Sequence, residues 1–195
     1  MPTTLDPATS SAATTSAAPA DTPAVRPPAR WAVRTARLAA LTAVPSGLWR
    51  LALGVGIPVG FSGTMEARMT AHMPGWGTLY VIVLSALAEA LAFLTLGLVR
   101  PWGQLPPRRL PFVGGRRIAP RTAATAAALG AVAVTLITTY GATTWYDGEA
   151  MGNPEAPQGL AGFLMTACYA PLLLWGPLLA VVTADFRRRA RAASC

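Results

Sequence analysis

The chain contains no lysine, and all sixteen of its basic residues are arginine. That excludes a lysine Schiff base or a lysine nucleophile. It has a single histidine, His72, in a connection between apolar runs, so no buried histidine-dependent dyad is available. The two cysteines, Cys168 within an apolar run and Cys195 at the last position, differ too much in expected depth to be argued into a disulfide. Acidic residues number only eight. No glycine-rich nucleotide loop of the usual form occurs, nor HExxH, CxxC or a G-x-S-x-G elbow. The start of the chain lacks the basic, apolar, small-residue order of a secretory signal, so the first apolar segment is expected to be retained.

Apolar residues dominate instead. With 53% hydrophobic residues, 12% charged and a mean hydropathy of +0.43, the chain is too apolar for a domain bathed in water, and lipid is the expected solvent. The net charge of +8 would suggest nucleic acid in a soluble protein. Here most arginines flank apolar runs, a pattern that speaks for membrane topology and against nucleic acid as a partner. The abundance of Ala, Gly, Pro and Arg makes a GC-rich coding sequence the simplest reason for the missing lysine.

Four apolar runs reach the length of about twenty residues that crosses a bilayer core: 38–60, 77–99, 122–144 and 160–184. They predict an all-α, four-transmembrane-helix bundle over residues 31–190. Residues 1–30, rich in Ala, Thr, Ser and Pro, are expected to form a disordered tail, and 191–195 a short tail end. Fourteen arginines fall before the first run, between the second and third, and after the fourth, whereas the other connections hold Arg68 with Glu66, then Asp147, Glu149 and Glu155. The positive-inside rule therefore predicts a multi-pass protein of the bacterial cell (inner) membrane with both termini cytoplasmic. Trp76, Tyr80, Trp102, Tyr140, Trp145 and Tyr146 sit at run ends, where aromatic anchors belong.

Within the first run stands Arg50, a permanent charge that costs roughly 2.5 to 3.5 kcal/mol at the centre of a span unless partnered. Counting from the expected cytoplasmic helix ends puts Arg50 about 18 Å deep and Glu89 of the second run about 16 to 17 Å deep. Small residues surround both: Ser46, Gly47 and Gly54 on one helix, Ser85, Ala86 and Ala92 on the other. An intramembrane Arg50–Glu89 ion pair is the expectation. It has two readings, a structural clasp between helices or a functional pair in which Glu89 exchanges a proton or both charges face a polar cavity.

Further signals each have a plain counterpart. Pro171 and Pro177 remove helical donors from the carbonyls of Ala167 and Leu173, which allows a hinge or a static kink; Tyr169 and Arg50 are candidates to satisfy those oxygens. Met65, Met69 and Met73, four apart with His72 among them, could offer a soft Cu(I) site or an apolar face lying on lipid; the latter is favoured, and no metal or cofactor is expected. Arg108, Arg109, Arg116 and Arg117, in a loop with Gly114 and Gly115, could cradle a phosphate, but attraction to anionic lipid head groups accounts for them with less machinery.

The segments "VPSGLWRLALGVG", "ALAEALAFLTLGLVRPWG", "RLPFVGGRRIAP" and "YAPLLLWGPLLAVVTADFRRR" resemble those of an uncharacterised actinobacterial four-helix integral membrane protein family, over about residues 31–190. An arginine and glycine in the first helix and a glutamate then glycine in the second are similar to DoxX-type membrane proteins, from which the long arginine-rich second connection departs. The resemblance implies a fold and no activity. The leading functional expectation is a non-enzymatic module that packs with lipid, with another membrane protein or with itself. The alternative is a small transporter or channel component using Arg50 and Glu89 near the midplane, where transporter sites lie.

Overall fold

The computed structural model describes residues 27–103 and 119–192. Those residues hold seven α-helices and no strand: α1 (Arg30–Leu41), α2 (Val44–Gly54), α3 (Gly63–Thr70), α4 (Trp76–Gly97), α5 (Pro120–Thr143), α6 (Gly159–Tyr169) and α7 (Leu172–Ala192), with a short 3-10 turn at Pro101–Gly103. The expected disordered tail lies almost wholly outside the described residues, as do Arg108, Arg109, Arg116, Arg117 and Cys195.

Among the described residues, three helical stretches are long and apolar enough to cross a membrane: Trp76–Gly97, Pro120–Thr143 and the α6–α7 stretch Gly159–Ala192. They coincide with the last three predicted runs. Most of each faces outward, with Leu87, Phe93, Leu129, Ile137, Phe163 and Leu174 exposed, the arrangement of helices whose solvent is lipid.

The expected first span, 38–60, is not one helix. Helix begins at Arg30, breaks at Thr42 and Ala43, resumes at Val44 and ends at Gly54. Proline sets both boundaries. Pro45 has no N–H for the Leu41 carbonyl, where α1 stops, and Pro58 has none for the Gly54 carbonyl, where α2 stops. Thr42 eases the break: its amide donates to Leu38 O at 3.1 Å and its hydroxyl to Ala39 O at 2.7 Å.

Helix α1 buries Ala32, Ala36 and Ala39, and Ala43 continues the stripe across the break, while Arg30, Arg34 and Arg37 stay exposed. Its alanine face packs against α4 and α7, where methyl-sized side chains let backbones come close. α7 completes this core with Trp175, Leu179, Val182 and Phe186. α5 and α7 run antiparallel. A Cβ on Gly176 would collide with Thr135, lying 2.9 Å from its backbone N and 3.0 Å from its Cα.

The two prolines of the fourth run behave differently. Pro171 ends the helix: α6 stops at Tyr169, and α7 begins after a tight turn in which Leu173 N donates to Ala170 O at 3.2 Å. Pro177 lies inside α7, which continues through it. A break is therefore present at Pro171 alone.

Candidate functional site

A line of polar groups lies along the seam between α2 and α4. The two helices run antiparallel in a defined register. At one end, Thr78 Oγ1 donates to the Gly54 carbonyl at 2.9 Å, and a Cβ on Gly54 would lie 3.3 Å from Val81 Cγ1. One turn along, Arg50 Nε donates to Ser85 Oγ at 3.2 Å. A further turn along, the Glu89 carboxyl rests against the bare α-carbon of Gly47, its Oε1 only 2.8 Å from where a Cβ would stand. Of the small residues named in the sequence, Gly47, Gly54 and Ser85 line the seam, whereas Ala86 is exposed. Any larger side chain at Gly47 would displace Glu89.

The expected Arg50–Glu89 ion pair is not formed; the ion pair that the described residues do hold is Arg189–Asp185. Counting depth from assumed helix ends set Arg50 opposite Glu89. The actual register sets it opposite Ser85, one turn of about 5.4 Å away. Glu89 Oε1 is buried and has no hydrogen-bond partner among the described residues. An unpartnered buried polar oxygen is costly, so this is the seam's one exposed weakness and its most distinctive chemical feature.

Helix α6 closes the cluster. The Tyr169 side chain lies near the Arg50 guanidinium, on a helix that packs against α2. Its ring packs on Trp145 at 5.4 Å between centroids, and Trp145 Nε1 donates to Thr166 Oγ1 at 3.3 Å. Trp145, expected as an interfacial anchor at the end of its run, is half-buried against α6. Trp76, Tyr80, Tyr140 and Tyr146 do face outward. Arg50 is therefore hydrogen-bonded to a serine of α4 and has a tyrosine of α6 for a neighbour. Sequence reasoning raised Tyr169 as a partner for carbonyls freed by proline and missed it as a neighbour of Arg50.

Two polar clasps outside the seam have no counterpart in the sequence reading. Arg189 Nε donates to Asp185 Oδ2 at 2.7 Å and Nη2 to the Leu98 carbonyl at 3.0 Å, so α7 covers an orphan carbonyl at the end of α4. The signal was an acid and a base four apart in a terminus otherwise read as a charge anchor. Trp102 folds back on the same end of α4, stacking on Phe93 at 5.2 Å. In the second clasp, the Glu155 carboxylate accepts from Thr64 Oγ1 at 2.7 Å and from Met65 N at 2.8 Å, serving the N-terminus of α3 from a distant loop. The Thr64 hydroxyl first, and the Met65 amide next, hold the Glu155 carboxyl below its usual 4.5. Gly63, at φ +56°, is obligatory beside it, because a Cβ would run into that carboxyl group.

The methionine stripe is shorter than its spacing suggested. Met65 and Met69 share α3, but the helix stops at Thr70, and Met73 and His72 belong to the turns that follow. Met73 is thus off the helical face that the spacing implied. Cys168 is partly buried beside Tyr169.

No protein-family model, curated protein or solved structure matches this chain. The functional reading rests on geometry.

Proposed function

We propose that this chain is a non-enzymatic integral membrane protein that acts through packing, and that α1 and α2 together form a fourth crossing beside the three long helices. Both pieces pack against α4, and their 12 and 11 residues amount to about 18 and 16 Å of helix, together about the thickness of a bilayer core. Four crossings return the chain to the side on which it started, in keeping with the arginine-rich flanks of residues 30–37 and 187–191 and a cytoplasmic placement of both.

The observation that carries the packing role is the closeness of the seams. Gly47 against Glu89, Gly54 against Val81 and Gly176 against Thr135 leave no space for even a methyl group without displacement. Arg50 is spent on holding α4 to α2 through Ser85, with Tyr169 of α6 beside it. Such a module presents its outer faces to lipid, to a second copy or to another membrane protein.

A second reading has one observation in its favour: the buried, unpartnered Oε1 of Glu89 one turn from a fixed cation. In a small transporter or channel component that oxygen would accept a proton or a cationic substrate. Glu89→Gln separates the two readings. In a strain lacking the wild-type chain, the packing role predicts that a folded Glu89→Gln protein complements any growth defect as well as wild type. A folded variant that fails to complement supports transport. Native mass spectrometry of the protein from its own membrane would then show whether a lipid, a subunit or a small ligand accompanies it.

A further inference from the structure

Between α5 and α7 the bundle opens into a groove of about 380 Å³, within the size range of sites that bind small molecules. Its walls are apolar. The hydroxyls of Thr135 and Thr183 face it but donate to the Ala131 and Leu179 carbonyls, each at 2.7 Å, so neither is left seeking a polar ligand. The remaining wall is formed mainly by small or aliphatic side chains, among them Ala128, Leu136 and Ala180. At one end stands Arg187, exposed and without an acceptor among the described residues.

The position of that cation is informative. Gly176 lies against Thr135 and Gly130 against Leu179, so the antiparallel register brings Arg187 level with Ala124, one turn from the start of α5. Leu136, at the other end, is eight residues beyond Ala128, about 12 Å deeper along α5. An apolar trough that runs from the interface toward the middle of the span, with a free guanidinium at its mouth, fits an amphiphile with an anionic head. Arg121, Arg188 and Arg191, all exposed near the same end, add to the positive field.

We propose that the α5–α7 groove seats one acyl chain of an anionic phospholipid, with its phosphate on Arg187. This rests on α5 and α7 spanning the bilayer, and it narrows the lipid contacts of the packing role to one place. Water-soluble ligands fit poorly because, apart from Arg187 at the mouth, the walls offer them no unsatisfied donor or acceptor.

The test uses the full chain in nanodiscs of equal parts phosphatidylglycerol and phosphatidylcholine, released and weighed by native mass spectrometry. Wild type is expected to retain phosphatidylglycerol in preference. Arg187→Gln should lower the retained phosphatidylglycerol to phosphatidylcholine ratio by about fivefold, the factor that one arginine is worth beside an anionic membrane surface. Ala180→Phe, at an exposed wall position, should fill the groove and abolish retention while the protein stays folded. The proposal is overturned if wild type shows no preference, if folded Ala180→Phe retains the lipid unchanged, or if cross-linking shows a second copy occupying the groove. Failure of the spanning reading would show separately, as wild-type chain recovered outside the membrane fraction, and would overturn both.

Discussion

Two glycines on the α5–α7 crossing should respond in opposite directions to the same added methyl group. A Cβ at Gly130 would find its nearest neighbour, Leu179 Cδ2, at 4.0 Å, ordinary contact distance. Gly130→Ala should therefore gain the helix preference of alanine over glycine, about 0.5 to 1 kcal/mol. At Gly176 the new Cβ would meet Thr135 Oγ1 and, at 2.9 Å and 3.0 Å, the backbone N and Cα of the same residue. A side-chain hydroxyl can rotate away, but a helix backbone cannot, so the helices must separate. Overpacking costs about 1 to 3 kcal/mol in well-packed cores, and contact with backbone puts this site near the upper end. After the gain in propensity, Gly176→Ala should lose about 2 kcal/mol. For a chain of this size each kcal/mol moves the melting temperature by about 2 to 4 °C. Thermal unfolding of the detergent-solubilised protein should thus place Gly176→Ala about 4 to 8 °C below wild type and Gly130→Ala about 1 to 4 °C above it. Equal melting temperatures for the two variants would refute the close crossing at Gly176.

Arg50→Met and Ser85→Ala should each destabilise the protein, and their double-mutant cycle should show a coupling of about 0.6 to 1.7 kcal/mol, the range for hydrogen bonds between membrane helices; additive effects would mean that the two do not interact. Glu155 is held below its usual 4.5, so its contribution to docking α3 is complete above that value and is lost as pH falls through its lower folded-state value. Hydrogen exchange at the Met65 amide, corrected for intrinsic rate, should accelerate on acidification below about pH 4.5, and an unchanged protection factor would contradict the clasp. Arg189→Ala should cost about 1.5 to 3 kcal/mol, because it strands Asp185 and the Leu98 carbonyl together; denaturant unfolding indistinguishable from wild type would show that this contact carries no stability.

The three long spans are legible in the sequence because uninterrupted apolar composition is a local property, and their ends fall within a few residues of the turns that proline and glycine impose. The expected first span, 38–60, is harder to read. Pro45 and Pro58 are visible, but their effect is expressed four residues earlier, at Leu41 and Gly54, so the helical pieces begin and end ahead of the apolar run. The alanine stripe of α1 lies among arginines, and average hydropathy hides it. Composition also pointed to Arg50, Glu89 and the small residues around them. Register did not follow from it: depth counted from assumed ends errs by one turn, enough to exchange Ser85 for Glu89 as the partner of Arg50. The clasps of Glu155 with α3 and of Arg189 with α4 join residues about ninety positions apart, a relation that no spacing rule contains.

Disulfide formation between paired cysteines tests that register most directly. In a background of Cys168→Ser and Cys195→Ser, Gly54→Cys is combined either with Val81→Cys or with Ser85→Cys and oxidised in native membranes. A Cβ on Gly54 would lie 3.6 Å from Val81 Cβ, within the range that a disulfide spans, so the first pair should cross-link readily and the second should not. Cross-linking of Gly54→Cys with Ser85→Cys alone would instead restore Arg50 to Glu89, and would contradict the seam from which the proposed packing role is drawn.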